Sequence, residues 1–173
     1  MPVTLKQILK MAKAKKCAIG SFNTPNFESL KAVISAAEDL NQPVIIMHAQ
    51  VHEEMGLCDI DEIAPIMLFM ADRASVPVCV HLDHGTDLAY IKKGLDLGFT
   101  SVMHGGSGVS HADYKKVIEL GIRKINYYTY MAKAGGEAVS GKKYKQFHDT
   151  VNDAIAAMRN NVKATIDIFS KKA

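Results

Sequence analysis

Short apolar runs and longer amphipathic stretches alternate along the 173 residues of this chain. Five apolar runs, rich in β-branched and aromatic residues, predict strands at 18–23, 43–49, 76–80, 99–103 and 124–130. They lack the strict alternation of half-exposed strands, so we expect burial on both faces. With helical stripes between the runs and no linker in the chain, the pattern predicts one domain, residues 1–173, with a parallel α/β sheet.

The amphipathic stretches predict the connecting helices. Thr4 is a candidate N-cap for a first helix that reaches Lys16, and a second helix runs from the turn at 24–26 to near Asn41. A further helix over about 61–73 is compatible with Pro65 only if that proline lies in its first turn. A long C-terminal helix is predicted to bury one face, formed by Tyr144, Phe147, Val151, Ile155, Met158, Val162, Ile166 and Phe169.

Composition narrows the function classes. The net charge of +3 is spread along the chain and there is no Trp to interleave with the lysines, which argues against nucleic acid as a partner. The first helix is too polar for a signal or membrane span, so we expect no membrane association. Cys17, Cys58 and Cys79 have no metal-ligand spacing, and their odd number predicts reduced thiols and a cytoplasmic location.

The third strand ends in the polar sequence His81-Leu82-Asp83-His84-Gly85. Ligands bind at the carboxyl ends of parallel strands, so Asp83 and His84 are candidate functional residues. His104 directly follows the fourth predicted strand and could share a Zn²⁺ ion with His84, while Asp83 could carry a proton. Alternatively, Asp83 orients a neighbouring histidine, and the histidines are hydrogen-bonded core or loop residues.

A glycine-rich sequence, His104-Gly105-Gly106-Ser107-Gly108, lies between a predicted strand and a predicted helix. Backbone N–H groups there, with the Ser107 hydroxyl, could bind a phosphate, although an ordinary glycine-rich turn is equally compatible with the sequence. Asn126 and Thr129 at the end of the last strand could bind phosphate or hydroxyl groups, or cap a loop. Zinc with phosphate-binding groups would suit the polarisation of a sugar phosphate carbonyl.

These motifs resemble the class II, zinc-dependent fructose-bisphosphate/tagatose-bisphosphate aldolases. The resemblance rests on residues 81–85, the glycine-rich 104–108, and Lys124-Ile125-Asn126 with Thr129. It implies a TIM barrel that cleaves ketose bisphosphates, by default fructose 1,6-bisphosphate, through a retro-aldol reaction. By the same resemblance, Asp83 is the catalytic residue, His84 and His104 are zinc ligands, and Gly105, Ser107, Asn126 and Thr129 bind the sugar phosphate substrate.

One departure from the family pattern is large. Met103 is followed at once by His104, where the family has further βα units, so the resemblance implies a deletion at 103/104 and an incomplete barrel of about five units instead of eight. A third zinc histidine and a glutamate are lost with those units, so we expect low or absent activity. We also expect the open sheet edge to be buried in a homo-oligomer. A tagatose-bisphosphate aldolase and a non-catalytic remnant that binds phosphate or metal are the alternatives.

Overall fold

A computed structural model describes residues 2–84, 88–100, 118–119 and 123–170. Within these ranges four parallel strands form one sheet in the order β3-β2-β1-β4. The strands are β1 Ile19–Asn23, β2 Val44–His48, β3 Val78–Leu82 and β4 Lys124–Tyr127. The helices are α1 Leu5–Lys15, α2 Phe27–Asp39, α3 Gln50–Glu54, α4 Ile60–Arg73, α5 Leu88–Asp96, α6 Thr129–Val139 and α7 Phe147–Ser170.

The predicted parallel α/β architecture is confirmed, and four of the five predicted strands are found. The fifth, predicted over 99–103, lies mostly outside the described residues. Phe99 and Thr100 are described, and Thr100 donates its backbone N–H to Val80 O at 3.1 Å, so the chain returns to the edge of β3 at this point. None of the described helices has the length and apolar character required to cross a bilayer.

The four-stranded sheet is strongly curved. In a flat sheet β3 and β4, its two outermost strands, would lie roughly 14 Å apart, three spacings of about 4.8 Å. Asp83, directly after β3, nevertheless accepts a 3.0 Å hydrogen bond from the side chain of Asn126 on β4. Two short side chains can meet in this way only if the sheet folds its ends toward each other, which is the geometry of an incomplete barrel.

Strand register sorts the side chains onto two faces. Ser21 pairs with Ile45, and Ile45 with Cys79, so these residues share one face, which we call the inner face. At the amino-terminal ends of the strands this face is apolar except for Lys124, and Ile45 and Cys79 there pack against Ile8 and Ala12 of α1. The outer face packs into a larger cluster with the other helices. The inner face is therefore closed at one end by α1.

Local signals set the helix boundaries. Thr4 and Gln7 form a capping box at α1, as the Thr4 prediction requires. The condition placed on Pro65 was wrong, because α4 begins at Ile60 and Pro65 lies in its second turn. The proline is exposed, so the carbonyl that loses an intrahelical partner can be hydrated.

The C-terminal helix buries only part of its predicted face. Met158, Val162, Ile166 and Phe169 are buried as predicted, whereas Phe147 is 81% exposed. Phe147 is the first residue of α7, so its side chain lies at the end of the helix and extends beyond the packed face. The buried contacts of α7 thus lie from Met158 onward.

We expect Phe169→Ala to lower the free energy of unfolding by about 3–5 kcal/mol, because it leaves a cavity in the core. Phe169 is 1% exposed, and its ring lies 6.3 Å from that of Tyr127. Urea denaturation would measure the change. Phe147→Ala is the matched control and should stay within about 0.5 kcal/mol of wild type; equal losses in both variants would contradict this view of α7.

Candidate active site

The inner face becomes polar toward the carboxyl ends of the strands. Beyond the apolar layer beneath α1, Asn23, His81 and Asn126 occupy inner-face positions, and Asp83 follows β3. Because all four strands are parallel, these side chains collect at one end of the sheet. Asp83 and Asn126, two of the predicted site residues, belong to this group; Asn23 and His81 were not among the predicted ones.

Asp83 contributes a buried carboxylate to the site, with 2% of its surface exposed. Its Oδ1 accepts a 3.0 Å hydrogen bond from Asn126 Nδ2, and its Oδ2 lies 3.5 Å from His84 Nε2. Its backbone N–H donates to His48 O at 2.8 Å, continuing the β2–β3 ladder past the strand end. Both the backbone and the carboxylate of Asp83 are therefore held in place.

His84 is more accessible than Asp83. Its side chain is 38% exposed, and its backbone carbonyl accepts from Gln50 N–H at 2.9 Å. This backbone contact holds His84 at the rim of the site, where its imidazole lies beside the Asp83 carboxylate. A histidine with a carboxylate neighbour is suited to bind a metal or to exchange protons.

A cavity of about 300 Å³ opens beside Asp83 and His84. Asn126 and Thr129, both predicted to bind substrate, also line it. Its remaining walls are formed by Asn23, Ala49, Val51, His52, Met55, Tyr127 and Tyr128. The structure thus brings together four of the seven predicted site residues; His104, Gly105 and Ser107 lie outside the described residues.

Sequence reasoning missed one part of this cavity, the short helix α3. The segment between β2 and α4 was predicted to be a loop, and Ala49 before α3 has no side chain that can cap a helix. Instead His52 turns back and accepts a 3.2 Å hydrogen bond from Ala49 N–H through Nδ1. The imidazole is 3% exposed and lies against the rings of His48 and Tyr128.

Lys124 places a buried cation on the inner face. Its Nζ is inaccessible and has no hydrogen bond among the described residues. Burial lowers the pKa of Lys124, and the Asp83 carboxylate partly opposes this effect. His81 lies on β3, at the other end of the strand order. Burial and, to a smaller extent, the Lys124 charge lower the pKa of His81 to about 3, so this histidine is neutral near pH 7.

A larger groove, of about 740 Å³, lies between α2 and α4 on the outside of the protein. Phe27, Pro65 and Phe69 are among its mostly apolar lining residues, and none of the predicted site residues lines it. Glu38 and Arg73 are its charged lining residues, but no histidine lines it, whereas the smaller cavity combines a buried carboxylate with His52 and His84. The smaller cavity is therefore the better candidate for an active site.

Lowering the pH from 7 to 5 should destabilise the protein through His48. Its side chain is fully buried, and burial, followed by repulsion from His52, lowers the pKa of His48 to about 4. Below the unfolded pKa of 6.5 the unfolded chain therefore binds a proton that the folded chain rejects. Stability is lost between pH 6.5 and about 4, by about 2 kcal/mol at pH 5.

Urea denaturation at pH 7 and pH 5 measures this loss. His48→Phe should show a smaller loss than wild type between the two pH values. His148→Phe changes an exposed histidine on α7 and should behave as wild type does. An unchanged pH dependence in His48→Phe would exclude the proposed linkage.

Comparison with known proteins gives a consistent result. The family model described as fructose-bisphosphate aldolase class-II matches residues 3–103 and 102–173. A fructose-bisphosphate aldolase of Thermus caldophilus is 32% identical over 170 residues, which cover 96% of this chain and 52% of that protein. A 6-phospho-5-dehydro-2-deoxy-D-gluconate aldolase of Halalkalibacterium halodurans is 37% identical over 106 residues, 61% of this chain and 37% of that protein.

Comparison with solved structures shows which fold the chain shares. The crystal structure of the YdjI aldolase from Escherichia coli K12 superimposes with a TM-score of 0.90 at 22% identity, covering 100% of this chain and 99% of that one. The chain spans about half the length, or less, of the two sequence relatives. Because the family model matches nearly the whole chain, this protein belongs to the class II fructose-bisphosphate aldolase family.

Proposed function

We propose that this protein is a lyase that reversibly cleaves fructose 1,6-bisphosphate to dihydroxyacetone phosphate and glyceraldehyde 3-phosphate, at a low rate. The observation that carries the proposal is the buried Asp83 carboxylate, fixed by Asn126 and placed beside His84 at the wall of a cavity. A carboxylate held in this way can receive a proton from a substrate hydroxyl with little reorganisation.

Asp83 acts on the hydroxyl at C4 of the substrate. It takes the O4 proton as the C3–C4 bond breaks; C4 becomes the aldehyde carbon, and the electron pair of the bond stays on the dihydroxyacetone phosphate half. Asn126 uses one N–H to position Asp83, which leaves its second N–H and its carbonyl oxygen for a substrate hydroxyl. Thr129 at the cavity, with Gly105 and Ser107, binds the phosphate and hydroxyls of that half.

Zinc is the proposed metal, held by His84 and His104. His84 fits such a role, because its imidazole lines the cavity and has a carboxylate within 3.5 Å that can orient it. The described ranges contain no group of three His, Cys, Asp or Glu residues that could hold a metal on their own. When bound, zinc would polarise the substrate ketone.

Tagatose 1,6-bisphosphate is the alternative substrate, since it differs from the fructose compound only in stereochemistry at C4. The relatives named above include aldolases of different phosphorylated substrates, so family membership leaves this choice open. A non-catalytic remnant is the alternative function. It is favoured by the length of the chain relative to its relatives and by the two-segment family match that meets at residues 102–103, next to the proposed deletion at 103/104.

A coupled cleavage assay tests the function. Asp83→Asn keeps the shape of the side chain but cannot take the proton, so kcat should fall at least about 100-fold. Asp72→Asn, an exposed change on α4, should have no effect. Chelation should abolish wild-type activity and zinc should restore it. Cleavage that resists the chelator, or an active Asp83→Asn variant, would refute the mechanism. A wild-type protein that is loaded with zinc but inactive would favour the non-catalytic remnant.

The protein is further proposed to be a cytoplasmic homo-oligomer. Three free cysteines among the described residues are compatible with a reducing compartment. The four described strands curve without closing, and a second copy could cover the remaining strand edge. Light scattering after size-exclusion chromatography should therefore give at least twice the mass of one chain, and a well-folded monomer would contradict the oligomer.

A further inference from the structure

His52 lies in the wall of the cavity but has no role in the mechanism above. Its side chain is 3% exposed and is enclosed on two sides, with ring centroids 5.3 Å from His48 and 5.7 Å from Tyr128. It shares the cavity with Asp83 and His84. A polar side chain that is almost fully buried at a cavity wall normally requires a hydrogen-bond partner for each of its polar atoms.

One of the two ring nitrogens of His52 has such a partner. Nδ1 accepts the 3.2 Å hydrogen bond from Ala49 N–H, so Nδ1 carries a lone pair rather than a proton. In a neutral imidazole the proton then resides on Nε2, which becomes a donor. Burial lowers the pKa of His52, and the smaller effects of Asp83 and His84 act in opposite directions, which favours the neutral ring.

Within the part of the chain that the structure describes, this ring makes one hydrogen bond, through Nδ1, and its Nε2–H is left for a ligand in the cavity that His52 lines. The ring cannot readily rotate to find another partner, because its Nδ1 contact and its two aromatic neighbours fix it. The fold has therefore built a rigid N–H donor into the same wall as the Asp83 carboxylate.

We propose that His52 is a substrate-binding residue whose Nε2–H donates to the O4 oxygen of a ketose bisphosphate, the oxygen whose proton Asp83 receives. This assignment rests on the proposed function. His52 transfers no proton; as O4 loses its proton to Asp83 and becomes the aldehyde oxygen, the donor stabilises the negative charge that develops there. The glyceraldehyde 3-phosphate half contains this oxygen and the dihydroxyacetone phosphate half does not.

Two substitutions separate this role from the capping of α3. His52→Asn places a carbonyl oxygen near the position of Nδ1, which preserves the bond from Ala49 N–H, but it has no donor at Nε2. His52→Gln places an amide N–H near Nε2 and loses the acceptor at Nδ1. We expect the asparagine variant to be the more stable and the less active of the two.

Cleavage kinetics and calorimetry with each triose phosphate alone test the proposal. In His52→Asn, kcat/KM for fructose 1,6-bisphosphate should fall about 10–100-fold, and glyceraldehyde 3-phosphate should bind about 10-fold more weakly. The affinity for dihydroxyacetone phosphate should stay within twofold of wild type. His52→Gln should retain more activity than His52→Asn despite its lower free energy of unfolding.

A purely structural role would give the opposite result, with activity following stability and the glutamine variant the poorer enzyme; that order would overturn the proposal. Failure of the proposed function would be seen separately, as no cleavage by zinc-loaded wild type. The binding titrations then decide: weaker binding of glyceraldehyde 3-phosphate in His52→Asn supports the donor, whereas equal affinity, or no binding by wild type, rejects it.

Discussion

The hydrogen bond between Asp83 and Asn126 depends on curvature. It joins the two outermost strands of the described sheet at 3.0 Å, which a flat sheet of the same order could not do. A curved sheet must fill the space on its concave inner face with side chains. At the amino-terminal ends of the strands, Ile8 and Ala12 of α1 fill part of that space. The packing at the amino-terminal end of the strands thus sets the distance between the functional groups at the other end.

The sequence predicted much of this arrangement because the relevant signals are local. Apolar runs marked the four strands, Thr4 marked the start of α1, and the polar strand end at 81–84 marked the site. Asp83, His84, Asn126 and Thr129 do line one cavity, as parallel strands require. That Asn126 would bond directly to Asp83 could not be predicted, because it depends on strand order and curvature.

Other features depended on tertiary context. The helix α3 has five residues and a cap made by a histidine three positions into the turn, so neither periodicity nor a standard capping residue identifies it. Phe147 fits the apolar pattern of α7, yet nothing covers the end of that helix among the described residues. Pro65 is a residue that helix propensity disfavours, yet it lies inside α4, where its exposed position makes it tolerable.

The buried Lys124 ammonium has a consequence for how this protein could change over time. Burying the ammonium costs hydration free energy, and no hydrogen bond within the described residues offsets that cost. An apolar side chain of similar length at this position would therefore give a more stable folded state. The same replacement would remove the positive charge that acts on Asp83 from across the curved sheet. At position 124 an apolar residue would therefore raise stability, whereas lysine preserves the electrostatic environment of the Asp83 carboxylate. If selection for catalysis were lost, we expect apolar replacements to accumulate at this position.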